Sequence, residues 1–238
     1  MQHETLTYLA DGLTMQSQLF FEPGADSRAG VLVFPEAFGL GEHAISRAKR
    51  LAALGYVALA CDLHGDGHQA ADLQEAIGLL EPLFNDPLRT RARAGGALQA
   101  LTARTEVDPS RIASIGFCFG GTMSLELARA GADIRAAVGF HSGLATKAPA
   151  AGPIQTRILV CIGADDPMIP PDQRAEFEAE MRAAGADWQM HLYGRTVHSF
   201  TNQQAALVNM PDAIRYSADA DARSWAAMQQ MFGETLSK

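Results

Sequence analysis

The chain has 238 residues, 47% hydrophobic and 19% charged, which is enough apolar material for a large buried core and too much for a disordered chain. A formal charge of −8 repels polynucleotides and anionic lipid, so both are excluded as partners, while a small substrate is not. No apolar stretch approaches the ~20 residues of a membrane span, and Met1-Gln-His-Glu-Thr has neither the basic nor the apolar segment of a secretory signal.

In chain order, Leu6–Leu9 and Thr14–Phe21 flank Ala10-Asp11-Gly12, and Asp-Gly between alternating segments predicts an antiparallel hairpin. Gly30–Phe34 is a continuous apolar run, as in a strand buried on both faces. His43–Leu54 has helical spacing, with Ile45, Ala48, Leu51 and Ala52 on one side and Gly55 as the stop. Tyr56–Cys61 is a second apolar strand, and Gly65–Gln69 is a loop. Ala71–Phe84 and Pro87–Ala103 read as helices, Arg111–Gly116 as a strand, and Thr122–Arg129 as a helix closed by Gly131. Strands Ala136–Phe140, Arg157–Ile162 and Trp188–Tyr193 follow, with a helix at Gln173–Ala184 and a last helix at Asp212–Phe232. This alternation implies right-handed βαβ crossovers: an α/β class, one domain over 1–238, with a doubly wound, mostly parallel sheet, antiparallel N-terminal strands and helices on both faces.

The cysteines Cys61, Cys118 and Cys161 are odd in number and lack CxxC spacing, so neither a disulfide framework nor a zinc site can be written from them. A reducing, cytoplasmic setting is expected, where a free thiol persists. Cys61 and Cys161 lie in or at the ends of apolar strands and read as core. Cys118 differs. Gly116-Phe117-Cys118-Phe119-Gly120-Gly121 follows a strand and opens a helix, the setting of the G-x-S-x-G nucleophile elbow with Cys in place of Ser. The flanking glycines answer a steric need, and the helix N-terminus favours thiolate over thiol. Read alone, the motif also suits a buried core cysteine before a Gly-rich turn.

In an α/β-hydrolase the acid and then the base follow the elbow in chain order. After Arg157–Ile162 comes Gly163-Ala164-Asp165-Asp166-Pro167-Met168-Ile169-Pro170, and after Trp188–Tyr193 comes Gly194-Arg195-Thr196-Val197-His198. Either aspartate suits a turn before Pro167; as an acid, one of them would orient His198, which would take the thiol proton. His3 is terminal, His191 lies within a strand, and His141 reads as a satisfied structural residue. His64-Gly65-Asp66-Gly67-His68 offers metal-ligating side chains, but two histidines four apart on a Gly-rich loop carry far less weight than on a helix, and neither metal nor cofactor is expected.

These segments resemble the dienelactone hydrolase family over nearly the whole chain. The Cys118 elbow, the G-x-x-D-x-x-x-P loop that selects Asp166 over Asp165, His198-Ser199-Phe200 as H-x-F, and Tyr216 to Trp225 as the last-helix signature all match. Pro35-Glu36-Ala37-Phe38-Gly39 is a fifth match. The resemblance implies that Glu36 contacts the cysteine thiol and keeps it neutral until substrate binds, and that the Ala37 amide joins the Phe119 amide in an oxyanion hole. Dienelactone-cleaving members carry an arginine four residues past the histidine to grip the substrate carboxylate; here Asn202 stands there, and Arg89 and Arg91 are the candidates for a second substrate arginine. The implied activity is hydrolysis of a small ester, lactone or thioester through an acyl-cysteine, by a monomer or small homo-oligomer. The alternative is a catalytically silent binding or regulatory protein on the same fold.

Overall fold

The structure, a computed structural model, describes residues 1–24 and 26–237. Its strands are β1 (Gln2–Ala10), β2 (Leu13–Phe21), β3 (Arg28–Phe34), β4 (Val57–Ala60), β5 (Val107–Phe117), β6 (Ala136–Phe140), β7 (Arg157–Gly163) and β8 (Trp188–Tyr193). They form one sheet in the order β1-β2-β4-β3-β5-β6-β7-β8. β1 pairs antiparallel with β2, and β2 with β4; every later pairing is parallel. The predicted hairpin forms, with Asp11 and Gly12 both at positive φ in its turn. β1 runs further than its apolar pattern indicates because its polar first residues still find backbone partners, Gln2 opposite Phe21.

The helices are α1 (Glu42–Ala53), α2 (Leu73–Asn85), α3 (Pro87–Thr102), α4 (Phe119–Arg129), α5 (Pro171–Ala183) and α6 (Ala218–Thr235). Two apolar layers enclose the sheet. On one face, Ala48 and Leu51 of α1 and Trp225, Met228 and Phe232 of α6 pack on Val31, Val33, Ala113 and Ile115. On the other, Leu80, Ala97 and Leu101 of α2–α3, Met123 of α4 and Phe177 of α5 pack on Leu32, Leu59, Ile112 and Val160. Successive strand residues point to opposite faces, so the uninterrupted apolar runs of β3 and β5 serve both layers. Cys61 and Cys161 are buried among them.

The last helix is shorter than the pattern predicted. It begins at Ala218, with Ser217 accepting a capping bond from the Ala220 amide. Residues 212–217 have another use: the His198 amide donates to Ala213 O at 2.9 Å and the Arg215 amide to His198 O at 3.1 Å. This bridge straps the His198 loop and consumes backbone groups that a helix would have needed.

Candidate active site

Cys118 follows β5, Asp166 follows β7, His198 follows β8 and Glu36 follows β3, so all four stand at the carboxyl ends of parallel strands, where open α/β sheets bind ligands. α4 starts immediately after Cys118, a turn earlier than predicted. Cys118 has φ 54° and ψ −120°, a costly backbone state for a residue with a side chain. Packing permits it because the residues two positions to either side, Gly116 and Gly120, are glycines. A Cβ on Gly116 would lie 2.0 Å from Gly120 O, and one on Gly120 would lie 2.3 Å from Phe34 O. The backbones of elbow, helix and β3 loop therefore meet without side chains between them. His141 (φ 40°) and Ser199 (φ 53°) are strained in the same way, and such strain gathers where surrounding structure holds a site in place.

His198 Nδ1 and Asp166 Oδ2 are 2.8 Å apart, and the other Asp166 oxygen accepts from the Met168 amide at 2.8 Å. His198 is 3% exposed and Asp166 4%. Asp165 is exposed. Its backbone amide, not its carboxylate, is used, donating to Thr196 O. Among the described residues His198 Nε2 is buried without a hydrogen-bond partner, and the Cys118 sulfur is the group whose charge acts on the ring. Burial alone would depress this imidazole; attraction to Cys118 and the bond to Asp166 outweigh it and raise its pKa to about 10. Cys118 itself is half-buried, open to an incoming molecule.

Two backbone amides singled out from sequence are free. Among the described residues, neither the Phe119 N–H, at the first position of α4, nor the Ala37 N–H has an acceptor in the chain. His64 Nε2 bonds to Ala37 O at 2.8 Å. A carbonyl only accepts and burial keeps this imidazole neutral, so Nε2 carries the proton and pins the Ala37 segment.

Glu36 departs from the expectation. Its carboxylate makes no hydrogen bond to the Cys118 thiol; it accepts from Ser199 Oγ at 2.7 Å and from the Asn202 side-chain amide, and faces His43 Nδ1 at 3.5 Å. Burial would raise its pKa, but His43 and Ser199 prevail and lower it to about 2. Asn202 is committed by the same contact, its Oδ1 also accepting from the Gln204 amide, so its amide serves Glu36 rather than a substrate carboxylate.

The two arginine candidates are likewise corrected. Arg89 pairs with Asp11 in the β1–β2 turn at 2.9 Å, and Arg91 with Glu126 at 2.8 Å and with Ala148 O. Glu126 is nearly fully buried and needs countercharge, which Arg91 and Arg129 supply. In the 64–68 loop, His68 bonds Glu75 at 2.8 Å, Asp66 is exposed, and the backbone is organised by Asp62, which accepts from the amides of His64, Gly65 and Gly67. The histidines of that loop thus have separate partners.

His43 and Thr201 were not singled out from sequence, and His141 was read as structural only. His141 is fully buried between the elbow and His198: the Cys118 amide donates to its Nδ1 at 3.1 Å, and its ring packs edge-on to His198 with centroids 5.1 Å apart. A histidine ending an apolar strand at the ligand edge was the available signal.

Elbow, chain order and sheet topology define an α/β-hydrolase fold. Residues 17–236 match the family model described as the dienelactone hydrolase family. The chain belongs to that family and is a hydrolase. A solved structure named m3DLH is 45% identical with a TM-score of 0.95, covering 99% of both chains. A dienelactone hydrolase-like promiscuous phosphotriesterase from metagenomic libraries is 43% identical, also with a TM-score of 0.95 and 99% of both chains covered. A Bradyrhizobium protein named a probable 2-oxo-3-(5-oxofuran-2-ylidene)propanoate lactonase is 30% identical over 71% of this chain and 72% of its own length. Among the described residues no helix is long and apolar enough to cross a membrane.

Proposed function

We propose that the chain hydrolyses small, uncharged esters or lactones through an acyl-cysteine intermediate, with Cys118 as nucleophile, His198 as proton carrier and Asp166 as its orienter. The observation that carries this is the buried His198–Asp166 pair at 2.8 Å, with the imidazole's other nitrogen left for the half-buried Cys118 sulfur. The sulfur attacks the acyl carbon, and the oxyanion forms against the Phe119 and Ala37 amides. The C–O bond breaks as protonated His198 gives its proton to the leaving alcohol. Water, deprotonated by His198, then cleaves the thioester and restores the thiolate beside protonated His198. One domain carries every group in this scheme.

The preference for uncharged substrates follows from the charges near Cys118. Arg89 and Arg91 are paired elsewhere, Asn202 is neutral, and Glu36 holds a negative charge beside the elbow. A carboxylate substrate meets the Glu36 charge and no charged donor from Arg89, Arg91 or Asn202, a loss of about 1.5–3 kcal/mol, roughly 10- to 150-fold in kcat/KM. The 43% identical phosphotriesterase supports a second reading, in which the same thiolate displaces a leaving group from a neutral phosphotriester. Three free cysteines fit a reducing, cytoplasmic setting. The test is a panel of neutral and anionic esters, lactones and phosphotriesters against wild type and Cys118→Ala. Turnover of neutral members that vanishes in the folded variant is expected. A variant that keeps wild-type turnover refutes the assignment, and a folded wild type inert to the whole panel favours the silent binding protein.

A further inference from the structure

We propose that His141, Thr201 and His43 are positioning residues forming a hydrogen-bonded relay of one fixed direction, from the Cys118 amide to the His43 imidazole, whose other nitrogen faces the Glu36 carboxylate, and that this relay keeps the nucleophile's backbone in register with His198. The relay consists of four consecutive contacts. The Cys118 N–H lies 3.1 Å from His141 Nδ1 and shares itself with Phe140 O at 3.0 Å. His141 Nε2 lies 2.8 Å from Thr201 Oγ1, Thr201 Oγ1 lies 3.2 Å from His43 Nε2, and His43 Nδ1 faces Glu36 at 3.5 Å.

Donor and acceptor roles follow from two ends that cannot reverse. A backbone N–H only donates, so His141 Nδ1 is a lone pair and the proton sits on Nε2. Thr201 Oγ1 accepts that proton. Its own hydroxyl hydrogen, buried with Thr201, has His43 Nε2 as its one remaining partner among the described residues. His43 then carries its proton on Nδ1, toward Glu36, which as a carboxylate only accepts.

Protonating His141, or switching its tautomer, would set an N–H against the Cys118 N–H; the Cys118 amide would fall back on Phe140 O alone, and the buried Nδ1–H of His141 would face a donor instead of an acceptor. Burial holds His141 neutral, and the charge on His198 pushes it further the same way. The proton that His198 carries is thereby kept on His198, although another imidazole lies 5.1 Å away. The relay also explains how a non-glycine residue stays at φ 54°: its peptide is fastened from below by two acceptors. Thr201 stands three residues past His198, so the same hydroxyl that fixes the His141 tautomer anchors the loop bearing the base.

The spectroscopic test is ¹⁵N NMR of histidine-labelled wild type, with His141 assigned from the signal lost in His141→Gln. A protonated Nε2 and bare Nδ1 are expected, and a protonated Nδ1 overturns the relay. The kinetic test rests on the hydrolytic reading. In Thr201→Val, which removes the hydroxyl and keeps the shape, kcat should fall at least tenfold with KM within twofold, and His141 should become a tautomer mixture. Thr201→Ser should restore both. A folded Thr201→Val protein with wild-type kcat and an unmixed His141 refutes the proposal; should that variant fail to fold, the wild-type spectrum decides. A protein with the expected tautomer that hydrolyses nothing upholds the relay and refutes the function instead.

Discussion

Replacing Asp166 by asparagine tests the acid at its most exacting point. The carboxylate serves two donors, His198 Nδ1–H through Oδ2 and the Met168 amide through Oδ1, each at 2.8 Å. Asparagine has only one oxygen. If it stays on the Met168 amide, the side-chain NH₂ faces Nδ1 and forces the imidazole into the tautomer that presents Nε2–H, which cannot accept the thiol proton. If the amide flips, its NH₂ meets the Met168 N–H instead, and a buried donor is left unpaired at about 1–3 kcal/mol. Loss of the charged hydrogen bond alone costs about 1.5–3 kcal/mol, roughly 10- to 150-fold in rate. The wrong tautomer adds to this, and the comparable change in the serine-protease triad costs about 10⁴-fold. Asp166→Asn should therefore lower kcat by roughly 10²- to 10⁴-fold with the fold kept, measured by steady-state kinetics on the best neutral ester. Asp165→Asn changes an exposed carboxylate and should stay within about twofold. A tenfold or smaller loss for Asp166→Asn, or a larger one for Asp165→Asn, would show that the orienter is misassigned.

Glu36→Gln should destabilise the protein by about 1–3 kcal/mol in denaturant melts, because an amide donor replaces an acceptor facing Ser199 and Asn202; it should also shrink the penalty on anionic substrates. An unchanged neutral-to-anionic ratio would remove Glu36 from the account of specificity. His198 gives a pH prediction. Its folded pKa of about 10 lies above the ordinary 6.5, so its stabilising contribution is complete below 6.5 and is lost as pH rises through about 10. NMR titration should show His198 still protonated at pH 8, and His198→Gln should flatten the stability profile over that interval; a midpoint near 6.5 would contradict the coupling to Cys118.

The fold was readable from sequence wherever periodicity or turn chemistry spoke locally. The Asp11-Gly12 turn, the two-faced apolar runs of β3 and β5 and the glycines around Cys118 each have one structural use, and the structure puts them to it. The last helix was overextended because residues 212–217 have a helical composition but spend their backbone on His198, a pairing that no local pattern encodes. Arg89, Arg91 and Asn202 looked available for substrate because their partners Asp11, Glu126 and Glu36 are 78, 35 and 166 residues away. Glu36 was expected at the Cys118 thiol, but its hydrogen-bond donors, Ser199 and Asn202, arrive on the His198 loop. His141, Thr201 and His43 went unread as a group for the same reason, since three separate elements contribute one residue each.

The central claim is that a covalent bond forms at Cys118. Rapid acid quench of the enzyme during turnover of a neutral ester, followed by intact-protein and peptide mass spectrometry, tests it directly. The account predicts a mass increment of one acyl group on the Cys118 peptide, absent from Cys118→Ala and removed when substrate is exhausted. Full turnover with no acyl adduct at any quench time in wild type, and undiminished turnover by Cys118→Ala, would contradict it.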